Sequence, residues 1–197
     1  MRAFLAFEIN ENDKNLIKKI LNKNFKNLKK LKLLKENSKL KPVKEKYYHI
    51  TFLFFENLSN ENFRKISKIF KEKLIFMEIE IEIKGINYFT DKYQNVRVIF
   101  LELKENKEFN KIISIYKKVF KELDLNFNEV KQLNSLIPHI TLFRLKKPVN
   151  VKALKEDFEI LNNEFKNIKI KIESFCLFKS TLTRNGPIYE KLLEIKN

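Results

Sequence analysis

The period of the apolar positions changes repeatedly along this chain, and each change marks a new element. Residues 2–9 alternate loosely around Phe4, Leu5, Phe7 and Ile9, which predicts a strand. From Asn12 to about Leu34 the spacing becomes helical, with Ile17, Ile20, Leu21, Phe25, Leu28 and Leu31 on one face and lysines on the other. Tyr47 to Phe55 is a compact aromatic and β-branched run, read as a strand. Ser59 is placed to cap a helix carrying Phe63, Ile66, Ile69, Phe70 and Leu74. Glu78 to Lys84 then alternates strictly, with Ile79, Ile81 and Ile83 pointing inward as in a half-buried strand.

The second half repeats this order. Val96 to Leu103 reads as a strand, and Phe109, Ile112, Ile113, Tyr116, Val119, Phe120 and Leu123 form a helix face. Ile137 to Leu145 is another strand, residues 151–162 a short helix, Ile168 to Ile172 a strand, and Ile188 to Ile195 a closing strand. The pattern predicts an α+β fold with mostly antiparallel pairing. Strand 2–9, the helix after it and the strand holding His49 match strand 96–103, its helix and the strand holding His139. Strand starts lie 94 residues apart and the two histidines 90 apart. A repeat this long exceeds a solenoid unit. It predicts two related lobes, each lending an equivalent strand to one cleft.

Composition narrows the chemistry. With 19 Phe, 6 Tyr and 44% apolar residues, the chain has ample material for a packed core. Lys and Arg number 41 against 25 acids, a formal charge of +16 that would attract a polyanion such as RNA, although a lysine-coated surface from biased composition explains the same number. The lone Cys176 excludes an internal disulfide, fits a reducing cytoplasm and reads as a buried small hydrophobe. The opening MRAFLAFEIN turns charged from Glu8 to Lys14, too early for a cleavable leader, and no apolar run approaches the roughly 20 residues that span a bilayer. Two glycines, Gly85 and Gly186, are too few for glycine-rich phosphate loops. Two His and one Cys would leave a zinc site dependent on carboxylates, so no metal and no cofactor is expected.

The histidines, His49 and His139, carry the chemistry. They sit in Tyr48-His49-Ile50-Thr51-Phe52 and Pro138-His139-Ile140-Thr141-Leu142. Alternate strand residues share a face, so His49 joins Thr51 and His139 joins Thr141, while the residues between them point to the core. Thr fills five of 197 positions, so chance would place one two residues after both histidines roughly once in 1,500 chains. A neutral imidazole accepts a proton and a protonated one donates it, which together serve the attacking and leaving oxygens of a phosphodiester. Threonine hydroxyls can donate to the non-bridging oxygens as charge builds there. The residues alone do not say which histidine is acid and which is base.

At these residues the chain resembles the 2H phosphoesterases, named for two His-x-Thr-x motifs, and within them the RNA 2′,3′-cyclic phosphodiesterase branch, also called 2′-5′ RNA ligases. The resemblance runs through Met1 to Phe7, Tyr48 to Leu53, Asn95 to Phe100, Pro138 to Arg144, Ser180 to Leu182 and Gly186 to Tyr189. It departs from the branch at Phe54-Phe55-Glu56-Asn57, which replaces the usual Leu-Gly, and at the preceding Tyr47-Tyr48. The resemblance implies one bilobal domain over residues 1–197 with pseudo-twofold symmetry and a cleft between antiparallel sheets packed by helices. It implies His49 as general acid (proton donor), His139 as general base (proton acceptor), and Thr51 and Thr141 on the substrate phosphate. Arg144 occupies a position where related enzymes carry a substrate-contacting arginine, but strict alternation turns it to the other face, so it needs a bulge or a strand end to reach the cleft, and a surface salt bridge is an equal reading. Phe7 is a candidate to flank a base by stacking, with packing in the core as the competing and commoner role for a strand Phe, and Tyr48 is expected to pack away from the cleft.

The expected activity is metal-independent hydrolysis of RNA 2′,3′-cyclic phosphate ends to 2′-phosphomonoesters, with reversible 2′-5′ joining of tRNA halves as the related reaction. A monomeric, cytoplasmic hydrolase with no membrane partner is expected. The alternatives are a phosphodiesterase for a small nucleotide, such as a cyclic ADP-ribose phosphate or a 2′-5′ oligoadenylate, and an RNA-binding module without turnover. An acid–base pair has no use in binding alone, which weighs against the last.

Overall fold

A computed structural model describes residues 1–28, 40–150, 155–184 and 186–197. In chain order the elements are β1 (Ala3–Ile9), α1 (Glu11–Leu28), β2 (Leu40–Pro42), a 3-10 turn (Glu45–Tyr47), β3 (His49–Phe55), α2 (Asn60–Glu72), β4 (Ile79–Thr90) and β5 (Asn95–Leu103). There follow α3 (Lys107–Phe120), α4 (Phe127–Asn134), β6 (His139–Asn150), α5 (Lys155–Phe165), β7 (Lys169–Thr183) and β8 (Gly186–Lys196). The fold is α+β, as expected. Residues 29–34 of the first predicted helix and residues 151–154 of the predicted short helix lie outside the described residues.

The strands pair antiparallel throughout, in the order β1-β3-β6-β5-β4-β7-β8, with β2 on β6 and a further β1–β7 pairing. Two sheets stand out by the extent of their pairing: β3-β1-β7-β8, and β4-β5-β6 with β2. They meet at the single pair Ile50–Ile140 and along Ile79 to Glu82 against Lys169 to Ile172. Each sheet carries one histidine strand, and the cleft lies at their seam.

The repeat holds residue by residue in its register. Ala6, Phe7 and Glu8 pair with Thr51, Ile50 and His49, while Phe100, Leu101 and Glu102 pair with Thr141, Ile140 and His139. Both histidine strands then bulge at the same place: the register skips Phe52 on β3 and Leu142 on β6. An extra residue bends the strand and re-aims everything after it.

Side chains on the faces away from the cleft build the core. Phe7, Phe52 and Phe175 of the first sheet are fully buried against Phe109, Tyr116 and Phe120 of α3, with Phe7–Phe109 and Tyr116–Phe175 ring centroids 5.0 and 4.8 Å apart. Such edge-on aromatic contacts add to the area term. The helix α3 thus comes from the second repeat but covers the first sheet, whereas Leu21 of α1 shares a small cavity with Phe143 on β6. This exchange of helices ties the lobes together. Caps fix the helix starts: the Ser59 hydroxyl accepts from the Asn62 N–H at 3.0 Å, and Asn126 with Glu129 forms a reciprocal capping box on α4. No described helix is long and apolar enough to cross a membrane.

Candidate active site

Each histidine opens its strand, and the backbone just before it fixes the ring. The His49 Nδ1 donates to the Tyr47 carbonyl at 2.7 Å, and the His139 Nδ1 donates to the Ile137 carbonyl at 2.8 Å. A carbonyl can only accept, so the proton of each neutral ring sits on Nδ1 and Nε2 keeps its lone pair. For His49 that Nε2 lies 3.1 Å from the Thr51 hydroxyl. Antiparallel pairing about Ile50–Ile140 sets His49 across from Thr141 and Thr51 across from His139. Two imidazoles and two hydroxyls therefore form one quadrilateral at the seam.

Aromatic rings pack the imidazoles in place. Phe4 stacks on His49 at 4.8 Å and Tyr189 meets it edge-on at 5.9 Å, while Phe100 and Phe89 flank His139 at 4.9 and 5.0 Å. Both rings are half-buried, and the lost hydration of the charged form lowers both pKa values. His49 falls to about 4, with the positive charges of His139 and Arg144 adding to the depression, and the Tyr47 carbonyl and the Glu8 carboxylate opposing it. His139 is lowered by burial and by Arg144, opposed by the Ile137 carbonyl. In the free enzyme both rings are therefore neutral at pH 7.

Arg144 reaches the cleft. Leu142 and Phe143 are consecutive buried residues at the bulge, and the next residue is turned back to the face of Thr141. Arg144 is exposed and lines a cavity of about 390 Å³ with His49, Thr51 and Thr141. The condition that alternation alone could not meet is supplied by the bulge.

Phe7 corrects an expectation. It is fully buried in the core, 4.7 Å from Phe175 and 5.0 Å from Phe109, on the face away from the cleft, so it cannot stack on a base. The cleft face of β1 carries Phe4, Ala6 and Glu8, and the alternation on β1 held that information once its orientation was known. Tyr48 is buried as expected, and burial pushes its hydroxyl up to about 12.

Several residues around the site escaped the sequence reading. Tyr189 on β8 and Lys41, Lys44 and Lys46 on the segment before β3 line the larger cavity. His139 instead opens onto an adjoining cavity of about 230 Å³ that shares Thr51 with it. Glu8 sits beside His49 and holds salt bridges to Lys14 at 3.3 Å and Lys191 at 2.6 Å. Burial works against its charge, but those two ammonium groups leave its pKa below the usual carboxylate range. Its oxygens gather with the Cys176 thiol and Glu194 within 4.8 Å, yet Lys191 already bridges Glu8 and Glu194, and burial pushes the thiol up to about 12. A cation is thus built into that cluster by the chain itself.

Two sheets related by a pseudo-twofold, each presenting an imidazole and a hydroxyl to a common cleft, define the 2H phosphoesterase class. Within it, the chain belongs to the AKAP7 2′5′ RNA ligase-like domain family, whose sequence profile matches residues 4–196. The chain is 32% identical to the RNA 2′,3′-cyclic phosphodiesterase of Methanocaldococcus jannaschii, over 98% of this chain and 99% of that one. It is 27% identical to the protein of the same name from Thermotoga maritima, over 98% and 94%. Among solved structures, TT0787 of Thermus thermophilus superposes with a TM-score of 0.71 at 21% identity, covering 100% of this chain and 97% of that one. E. coli LigT complexed with ATP superposes at 0.63 with 16% identity, covering 99% and 96%. At these identities the likeness is one of fold.

Proposed function

We propose that this chain is an RNA 2′,3′-cyclic phosphodiesterase that opens cyclic phosphate ends to 2′-phosphomonoesters. The observation that carries the reading is the matched pair of imidazoles, each pinned through Nδ1 so that Nε2 remains for proton transfer. In the proposed reaction the Nε2 of His139 takes a proton from water as the water oxygen attacks phosphorus. The P–O3′ bond breaks, and the Nε2–H of His49 protonates the departing 3′ oxygen. Thr51 and Thr141 donate hydroxyl hydrogens to the non-bridging oxygens, and Arg144 balances the growing negative charge. The phosphodiester anion entering the cleft favours the protonated ring, which supplies the acid that the free enzyme lacks.

Both motifs come from one chain, so a monomer holds a complete site, and we place the enzyme in the cytoplasm. The same geometry supports 2′-5′ joining, as of tRNA halves: a 5′-hydroxyl takes the place of water beside His139, where the adjoining cavity offers room. The test is to incubate the protein with an RNA ending in a 2′,3′-cyclic phosphate and locate the product phosphate by ³¹P NMR. A 2′-phosphate formed at an undiminished rate in chelator is expected. A 3′-phosphate would reverse the leaving-group assignment, and loss of activity in chelator would replace the metal-independent mechanism.

A further inference from the structure

The segments that lead into the two histidine strands break the pseudo-symmetry in charge. Ahead of His49, β2 and the 3-10 turn bring Lys41, Lys44 and Lys46 to the larger cavity, and no acidic side chain among the described residues lines it. Lys44 and Lys46 are exposed, and Glu45 between them is held by Lys18 at 2.7 Å. Lys41 is the cross-strand partner of Arg144. Ahead of His139 the positions 90 residues on from Lys41, Lys44 and Lys46 are Lys131, Asn134 and Leu136. Lys131 does not line the cavity there, whose wall of Gln132, Ser135 and Leu136 carries no Lys, Arg, Asp or Glu.

Resting on the phosphodiesterase reading above, we infer that the wall of Lys41, Lys44 and Lys46 is the track for the phosphates upstream of the cyclic end. The substrate is then a polynucleotide whose body leaves the cleft past β2, and the uncharged side beside His139 is kept for water or an incoming 5′-hydroxyl. Single-stranded RNA carries a charge at every nucleotide, so a cationic wall on one side of the scissile phosphate fixes the direction of the strand. A small nucleotide would fill the centre and leave the lysine wall without a ligand.

The test compares kcat/KM of wild type and a Lys44→Glu/Lys46→Glu variant on a 2′,3′-cyclic mononucleotide and on an oligonucleotide with the same terminal nucleotide. On the oligonucleotide the variant should lose on the order of 10-fold or more at low salt, and the log–log salt slope should shrink by roughly 1.4, about 0.7 for each phosphate contact removed. The mononucleotide should lose far less. Lys118→Glu on the far side of α3, which removes charge without touching the wall, should follow wild type on both substrates. Equal losses on the two substrates, an unchanged salt slope, or an equal effect from Lys118→Glu would overturn the inference. If wild type opened neither substrate, the phosphodiesterase reading would fall instead. The wall would then be judged by anisotropy of a labelled oligonucleotide ending in a 2′-phosphate, where an unchanged salt slope in the variant would reject it.

Discussion

At His49 the ring stacks flat on Phe4, bonds Thr51 through Nε2 and sits across the pair from a glutamate held by two lysines. At His139 the rings of Phe89 and Phe100 approach at steep angles, and the glutamate opposite, Glu102, turns to Lys84 and Asn87 at 2.8 and 3.0 Å. The backbone frame is the same in both: the same register, the same bulge after the threonine, the same carbonyl two residues upstream. The difference teaches that the repeat fixes tautomer and aim, while the side chains around each ring set its proton affinity and the charge of its approach.

Removing either ring should have the largest effect. His49→Ala and His139→Ala should each lower kcat by about 10²–10⁴-fold. The two losses separate with a cyclic-type phosphodiester whose leaving group needs no proton: activity of His49→Ala should recover on it, and that of His139→Ala should not. Recovery of His139→Ala alone would exchange acid and base.

A smaller loss is expected at the hydroxyls. Thr51→Val and Thr141→Val should each cost roughly 10²-fold in kcat, the scale of one donor to a developing oxyanion. Thr51 also contacts the His49 Nε2, so its removal should move the His49 titration seen by NMR, whereas Thr141→Val should leave that curve in place. If both variants shift His49 alike, the contact is not what distinguishes the halves.

The smallest effect is a displacement of pH profiles. Both pKa values are lowered in the free enzyme, His49 to about 4, so protonation of one ring is lost as pH rises through the acid side of the ordinary imidazole range. The bell of kcat/KM, which reports free enzyme, should therefore peak below the ordinary imidazole pKa. The bell of kcat should lie at higher pH, because the bound phosphate anion raises both values. Arg144→Gln removes a cation that lowers both rings and should move both NMR titrations upward. Coincident kcat and kcat/KM optima would show that the phosphate does not recharge the site.

Much of this was legible beforehand because period and spacing are local. The strands around Phe4, Phe52, Ile99 and Ile140 and the helices capped by Ser59 and covering Phe109 to Phe120 lie where the apolar pattern put them. The helix α4 was missed although its Asn126–Glu129 capping box is a readable signal; its eight residues bury Leu133 and leave Phe127 exposed, so no apolar stripe announces it. The strand β7 runs well past Ile172 because Phe175 to Phe178 are buried on both faces, which erases alternation. Phe7 had two readings for the same reason, since β1 lies between β3 and β7 and is buried on both faces; the core reading holds and the stacking one does not.

The sequence by itself determined the pair of histidines, the hydroxyl two residues after each, and the half-chain repeat that promised a shared cleft. These are facts of spacing, and a strand converts spacing directly into facing. Only the tertiary structure decided that Phe4 rather than Phe7 meets the imidazole, that a bulge at Leu142 brings Arg144 to the cleft, and that lysines wall one side of the cleft and not the other. Those depend on which strands become neighbours and on where a register slips by one residue, and a one-residue slip reverses every side chain that follows it.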